Sequence, residues 1–310
     1  MNRRLRTLLQ HSLALGMDLS GVNWLMHRRQ VARSSPFIRI VNYHDVPPCD
    51  AANFERHLQF YKRRFVSAER RDLEELLAGR WRHDRPGFMI TFDDGLKSHF
   101  EVAAPLLEKH GFTGWFFTPT EFLDTPRENQ RQYASTHQIG WSKQPGSDLG
   151  SMTWDDARSL DRRGHIIGCH TTTHVRLSAK LTAEDLDREI PQAKHRLEAE
   201  LGHEVDVFCW VGGEEWSYSA TAAKVIRESG FRLSFMNSYD IARPNINPLQ
   251  LHRNCISSSD PLWYVRYVLS GFRDKVFKAS RKRVNALTAE PQAKPLMDAA
   301  RNTDENANKH

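Results

Sequence analysis

Cysteine is scarce in this 310-residue chain: Cys49, Cys169, Cys209 and Cys255 are the only four, and no two form a CxxC pair. A small disulfide scaffold is thereby excluded, and a chain of this length buries enough core to need no cross-links. Three of the four lie in apolar runs, where a free thiol behaves as a small hydrophobe. This usage points to a reducing, cytoplasmic setting. Long apolar runs are also missing. With a mean hydropathy of −0.61 and 26% charged residues, the composition excludes membrane-spanning, collagen-like and disordered classes. No internal repeat is visible. A typical secretory signal is not seen either. Arg3, Arg4 and Arg6 would serve as its basic start, but the leucines that follow are interrupted by Gln10, His11 and Asp18.

The positive charge is unevenly placed. Residues 1–35 hold six arginines against Asp18, and residues 273–283 hold six Lys/Arg against Asp274, so each segment carries +5. With a total of +6, the rest of the chain carries −4. Two basic arms on a mildly acidic body suit an anionic membrane surface or a phosphate-bearing partner, or are simply solvated charge. Nucleic acid is disfavoured, because the basic residues flank the body instead of interleaving with aromatics. In the first arm Leu5, Leu8, Leu9, Leu13, Leu15 and Leu19 make a loose apolar helical face. An interfacial helix and a helix packed on the body both fit that pattern.

From about Pro36, short apolar runs alternate with amphipathic stretches. Strands are expected at 37–43, 88–92, 112–118, 165–169, 205–211, 231–236 and 249–256, with a weaker one near Phe65. Several are apolar on both faces, as in a parallel sheet covered by helices. Helices are expected at 97–110, 153–163, 182–201 and 217–229, punctuated by Thr or Ser starts and Gly stops. Repeated βα units imply a single-domain α/β fold. The simplest is a distorted (β/α) barrel of seven or eight mostly parallel strands over 36–272, with function at the strand C-termini. Residues 124–152 form a polar insertion, and a basic, then disordered tail is expected over 273–310.

Two groups of residues could carry chemistry. Thr91-Phe92-Asp93-Asp94-Gly95 follows an apolar run directly, so a strand would end in two carboxylates that point differently. One could bind a cation while the other takes a proton; a solvated turn is the plainer alternative. His170-Thr171-Thr172-Thr173-His174 follows the apolar run 165–169 directly. Imidazole and carboxylate are the ligand types of an open catalytic zinc site.

TFDDG followed by HTTTH resembles the polysaccharide deacetylases, carbohydrate esterase family four. The flanking Met152-Thr-Trp-Asp-Asp and Gly164-His-Ile-Ile-Gly-Cys-His are similar too, as is the opening Val41-Asn-Tyr-His-Asp-Val of one branch. The likeness spans about 37–256. It implies a barrel that binds one divalent metal, zinc first with cobalt or nickel as alternatives, and removes an N-acetyl group from an amino sugar. On that resemblance Asp93 is the general base, and Asp94, His170 and His174 are metal ligands. His44 is the acid that protonates the leaving nitrogen, and Arg253 orients Asp93. Gly212 supplies an oxyanion N–H, and Trp210, Trp141 and Trp216 could stack on sugar. The third motif, Phe208-Cys-Trp-Val-Gly-Gly, departs from the family's pattern, with Val211 and Gly212 where Pro and an aromatic are usual. A non-catalytic glycan-binding relative, or a site for a formyl or O-acetyl group, therefore stays open. The implied partners are an acylated amino-sugar glycan, polymeric or lipid-linked, and peripherally an anionic membrane.

Overall fold

Runs that are apolar on both faces can be buried on both faces, and the strands do this. The computed structural model describes residues 3–34, 36–140 and 150–289. Among them ten strands form one sheet: β1 (Ile38–Tyr43), β2 (Val66–Ser67), β3 (Gly87–Phe92), β4 (Gly114–Thr118), β5 (Ile166–Cys169), β6 (Val207–Cys209), β7 (Leu233–Met236), β8 (Ile241–Ala242), β9 (Leu251–His252) and β10 (Asn254–Cys255). The order is β10-β1-β3-β4-β5-β6-β7-β9 with all neighbours parallel, while β2 pairs with β3 and β8 lies antiparallel to β1. Because β9 and β10 are separated only by Arg253, one bent segment joins both ends of the sheet and closes the distorted barrel.

The pleat divides the side chains into two cores. Ile38, Ile40, Met89, Phe117, Cys209, Phe235 and Leu251 fill the barrel interior, whereas Val41, Tyr43, Ile90, Phe92, Phe116 and Phe208 face the surrounding helices. Thr153 caps the helix Trp154–Arg162 and Thr182 caps Ala183–Glu189, each in a reciprocal box with the acid three residues on. Gly111 ends Ala104–His110 at φ +74°, a conformation that costs glycine nothing.

Several expectations are corrected. The 249–256 strand is broken at Arg253, whose N–H turns back to Met236 O at 2.8 Å. The 182–201 helix is two helices, because Pro191 at the start of the second cannot continue the first. The 97–110 helix opens with a π turn, His99–Ala103, and the 217–229 helix begins at Ala220, capped by Ser219. Within 124–152, residues Arg127–Asn129 and Gln130–Thr136 are helical, not loop. The basic segment expected to begin a tail forms the helices Phe272–Val276 and Lys278–Thr288, tied down by a buried Asp274–Arg39 pair at 2.9 Å. Residues 290–310 of that expected tail lie outside the described residues. The first arm is a hairpin of the helices Arg3–Leu19 and Val22–Ser34, packed against Leu262–Leu269.

Candidate active site

Parallel strands bring their C-terminal ends to one side of a barrel. His44 follows β1, Asp93 and Asp94 follow β3, His170 and His174 follow β5, and Gly212 follows β6. All six line one cavity of about 630 Å³.

The two adjacent acids have different neighbours. Asp93 is held by Arg253, whose Nη1 and Nη2 donate to its two oxygens at 2.7 Å each. Arg253 is fully buried and also donates to Thr91 Oγ1 at 3.0 Å and to Asn237 Oδ1 at 3.1 Å. Burial alone pushes the Asp93 carboxyl up, but the Arg253 guanidinium, with His170 and His44, outweighs it and brings the value down to about 2. Asp93 is therefore ionised, oriented and unable to swing.

Asp94 leaves the strand at φ +81° and meets the histidines. Its Oδ1 lies 3.1 Å from Nε2 of His174 and 3.7 Å from Nε2 of His170. Its Oδ2 accepts the Gly140 N–H at 3.2 Å. Nδ1 of His170 contacts the Cys209 carbonyl at 2.9 Å, and Nδ1 of His174 contacts the His137 carbonyl at 2.7 Å. A carbonyl only accepts, so each Nδ1 carries a proton, and in the neutral ring Nε2 is left to offer its lone pair. Burial pulls His170 down to about 4, which keeps it neutral. Burial also depresses His174, but the Asp94 carboxylate beside it lifts the net value above the ordinary one. Buried Asp94 Oδ1 has no hydrogen bond of acceptable geometry. Three lone-pair atoms on fixed supports thus converge, an arrangement that a divalent cation satisfies.

Asp93, His170 and Cys209 also converge closely. That trio fits a cation less well. Burial pushes the Cys209 thiol well above its ordinary value, and Cys209 Sγ donates to Asp93 Oδ1 at 3.5 Å. Asp93 is already occupied by Arg253.

Residues 82–234 match the sequence profile of a family described as polysaccharide deacetylase, and that span contains both acids and both histidines. This chain carries a polysaccharide deacetylase domain. The family's members are hydrolases acting on carbon–nitrogen bonds. No curated protein sequence is significantly similar to the chain. Among solved structures, a de-N-acetylase from Aggregatibacter actinomycetemcomitans matches with a TM-score of 0.60 at 15% identity, over 75% of this chain and 99% of that one. The deacetylase PplD of Streptococcus pyogenes, solved with acetate, matches at 0.58 and 17% identity over 75% and 98%. IcaB from Ammonifex degensii matches at 0.56 and 21% over 76% and 97%. These likenesses establish the deacetylase fold.

His44 and Arg253 lie outside the matched span, yet the barrel brings His44 to the lining of this cavity and buried Arg253 to within hydrogen-bonding distance of Asp93. His44 is exposed at its rim. Trp210, expected to stack on sugar, is instead a core residue. It is 1% exposed, packs against Phe208 and Tyr218, and donates from Nε1 to Ser234 Oγ at 2.9 Å. Trp141 lies outside the described residues. Trp216 is exposed, with Arg176 over its ring. His99 is buried, with Nε2 donating to the His44 carbonyl at 2.8 Å. His165 is also buried, and its Nδ1 accepts the Gly114 N–H.

Four supports were not anticipated: the His137 carbonyl, the Gly140 N–H, Asn237 and the Cys209 thiol. All but the Cys209 thiol sit in connections whose contacts depend on chain reversals far apart in sequence.

Proposed function

We propose that this deacetylase is a metal-dependent amidase that removes an N-acetyl group from an amino sugar in a polysaccharide or lipid-linked glycan. The observation that carries the reading is the division of one Asp-Asp pair. Asp93 is clamped by Arg253, and Asp94 is committed to two imidazoles across the same cavity. Asp94, His170 and His174 would hold the cation, and zinc, cobalt and nickel all suit that ligand set. When bound, such a cation supplies Lewis-acid polarisation of the amide carbonyl and acidifies water.

Asp93, ionised at neutral pH, accepts the proton of the attacking water. Arg253 fixes which oxygen faces it. His44, exposed at the rim, delivers a proton to the departing nitrogen. Gly212, at φ +84° with its carbonyl accepting from Asn237 Nδ2 at 3.0 Å, directs a backbone N–H toward the developing oxyanion. Cys169 and Cys209, buried as free thiols, support a cytoplasmic setting.

The test couples metal analysis to acetate release from N-acetylated glycans. Asp93→Asn should retain the metal and lose turnover by roughly 10²–10⁴, whereas Asp94→Asn should lose both. Wild-type turnover in Asp93→Asn overturns the reading. Glycan binding by the metal-loaded wild type without acyl release assigns it instead to a non-catalytic relative.

A further inference from the structure

Large apolar side chains are exposed very unevenly. Of the ten that the described residues expose, seven lie between Leu9 and Leu25. The helix Arg3–Leu19 is pinned to the body by one side only. Gln10 Nε2 donates to the Tyr264 hydroxyl at 2.8 Å, Ala14 is buried, and the Asp18 carboxylate is paired with Arg266. Helical spacing then turns Leu9, Leu13, Leu15 and Leu19 outward, with only Ser12 and Gly16 between them and no charge. Leu19 is 79% exposed, and beyond the Gly21 turn Val22, Trp24 and Leu25 continue the apolar surface.

A basic collar borders this face. Arg28, stacked at 4.8 Å over the Trp24 ring, is joined by Arg29 and Arg33 on the second helix. Arg64 lines the same crevice as Trp24, and Lys62 and Arg63 precede it on the helix Ala51–Arg64. Among the described residues, none of these six cations has a carboxylate within 4 Å, although most cations on the body do. Leucine and tryptophan rimmed by unpaired arginine is the composition of an element lying in the plane of an anionic lipid interface. No described helix is long and apolar enough to cross a membrane.

We propose that the hairpin 3–34 docks this protein on an anionic bilayer, with the leucine face in the acyl boundary and the arginines at the headgroups. A second copy of the chain is the weaker occupant, because a symmetric contact through this face would bring two basic collars together. The docking also orients the cleft. His11, on the first helix, lines a cavity with His44, Tyr264 and Arg273, and that cavity shares His44, Gly140, Tyr239, Cys255 and Arg273 with the catalytic one. The docked hairpin is therefore one wall of the entrance, so substrate would be met at the membrane surface. The docking itself stands independently of the hydrolytic reading.

The full chain is sedimented with vesicles of phosphatidylglycerol and phosphatidylcholine, and with phosphatidylcholine alone. Partition is expected only to the anionic vesicles. Arg28→Ser/Arg29→Ser/Arg33→Ser should weaken it roughly a hundredfold. Leu13→Ser/Leu19→Ser/Trp24→Ser should weaken it at least about tenfold, with metal content unchanged in both variants. Equal partition of wild type and both variants, or equal partition to the two vesicle types, overturns the proposal. So does a concentration-dependent dimer in the absence of vesicles that the leucine variant abolishes.

Discussion

Replacing Arg253 by methionine isolates one fully buried ion pair. The guanidinium and the Asp93 carboxylate are both buried, and they share two hydrogen bonds of 2.7 Å. Removing one partner leaves the other charge without compensation, at a cost of about 3–5 kcal/mol. Against a typical domain stability of roughly 5–15 kcal/mol, that leaves a fold that is marginal but measurable. Replacing both partners, in Arg253→Met/Asp93→Leu, should recover most of the loss, because a buried pair exchanged for apolar side chains of similar volume is often neutral. The coupling read from urea unfolding of the four proteins is then expected to be about 3 kcal/mol or more. Activity should behave differently. In Arg253→Met the burial of Asp93 is no longer outweighed, so its pKa rises and the acid limb of the pH–rate profile moves toward neutrality. Arg253→Lys keeps the charge but not the two-pronged geometry, and should fall between. A purely structural role for Arg253 would leave the acid limb in place. Strictly additive stabilities with an unmoved acid limb would refute the reasoning.

Two further outcomes follow from the fold. Burial holds His57 and His252 at about 4, below the ordinary 6.5, so the unfolded chain binds more protons than the folded one between those values. Their stabilising effect is therefore complete above about pH 6.5 and is lost as pH falls toward 4, by up to roughly 3 kcal/mol each. Unfolding free energies from pH 7.5 to 4.5 should show this decline, and His57→Gln/His252→Gln should flatten it; an unchanged slope rejects the assignment. A Cβ on Gly212 would lie 2.8 Å from Glu214 Oε2 and 3.0 Å from Arg176 Nε on a backbone at φ +84°. Gly212→Ala should cost about 1–2 kcal/mol and lower turnover. Gly140→Ala, which among the described residues would meet only Asp94 Oδ2 at 3.9 Å, should retain near-normal stability.

Where local signals and tertiary packing agree, the chain could be read directly. Runs such as FIRIVNY and FMITF are apolar on both faces because each strand serves two cores at once, and no other reading of them satisfies the pleat. The Asp93-Asp94 pair and the histidines His170 and His174 were legible as candidates for a cation site because each group follows such a run, and the choice of Asp94 over Asp93 as ligand rested on resemblance. Arg253 was legible as a partner of Asp93 only through resemblance. Its bend, which closes the sheet, reads locally as the middle of one strand and becomes intelligible once β7 and β1 are both beside it. Trp210 misled for a related reason: an aromatic next to a strand end can face the cavity or the helices, and the register of β6 sends it to Ser234 and Tyr218. The helices Phe272–Val276 and Lys278–Thr288 were hidden by their charge. Their order comes from long-range partners, Asp274 with Arg39 and Arg283 with Glu215.

The Asp93-Asp94 pair shows how a barrel makes two reagents from one residue type. At the end of β3 the pleat alone would send the two carboxylates to opposite faces, one toward the interior and the other toward the helices. The left-handed turn at Asp94 cancels that alternation and returns the second acid to the cavity, where Gly140 and the two imidazoles receive it. Left-handed backbone recurs at Thr171 and His174 on the opposing loop, so strain is present on both sides of the proposed cation position. Interior strand positions then select the partner of the first acid. Thr91 and Asn42, on adjacent strands, hold the Arg253 guanidinium on the barrel axis, beneath Asp93. On the proposed function, the carboxylate fixed by a buried guanidinium stays charged and serves as proton acceptor, and the one facing the two imidazoles serves as the ligand. The chemical difference between two identical neighbours is thus set by one backbone dihedral and by the residue that closes the sheet.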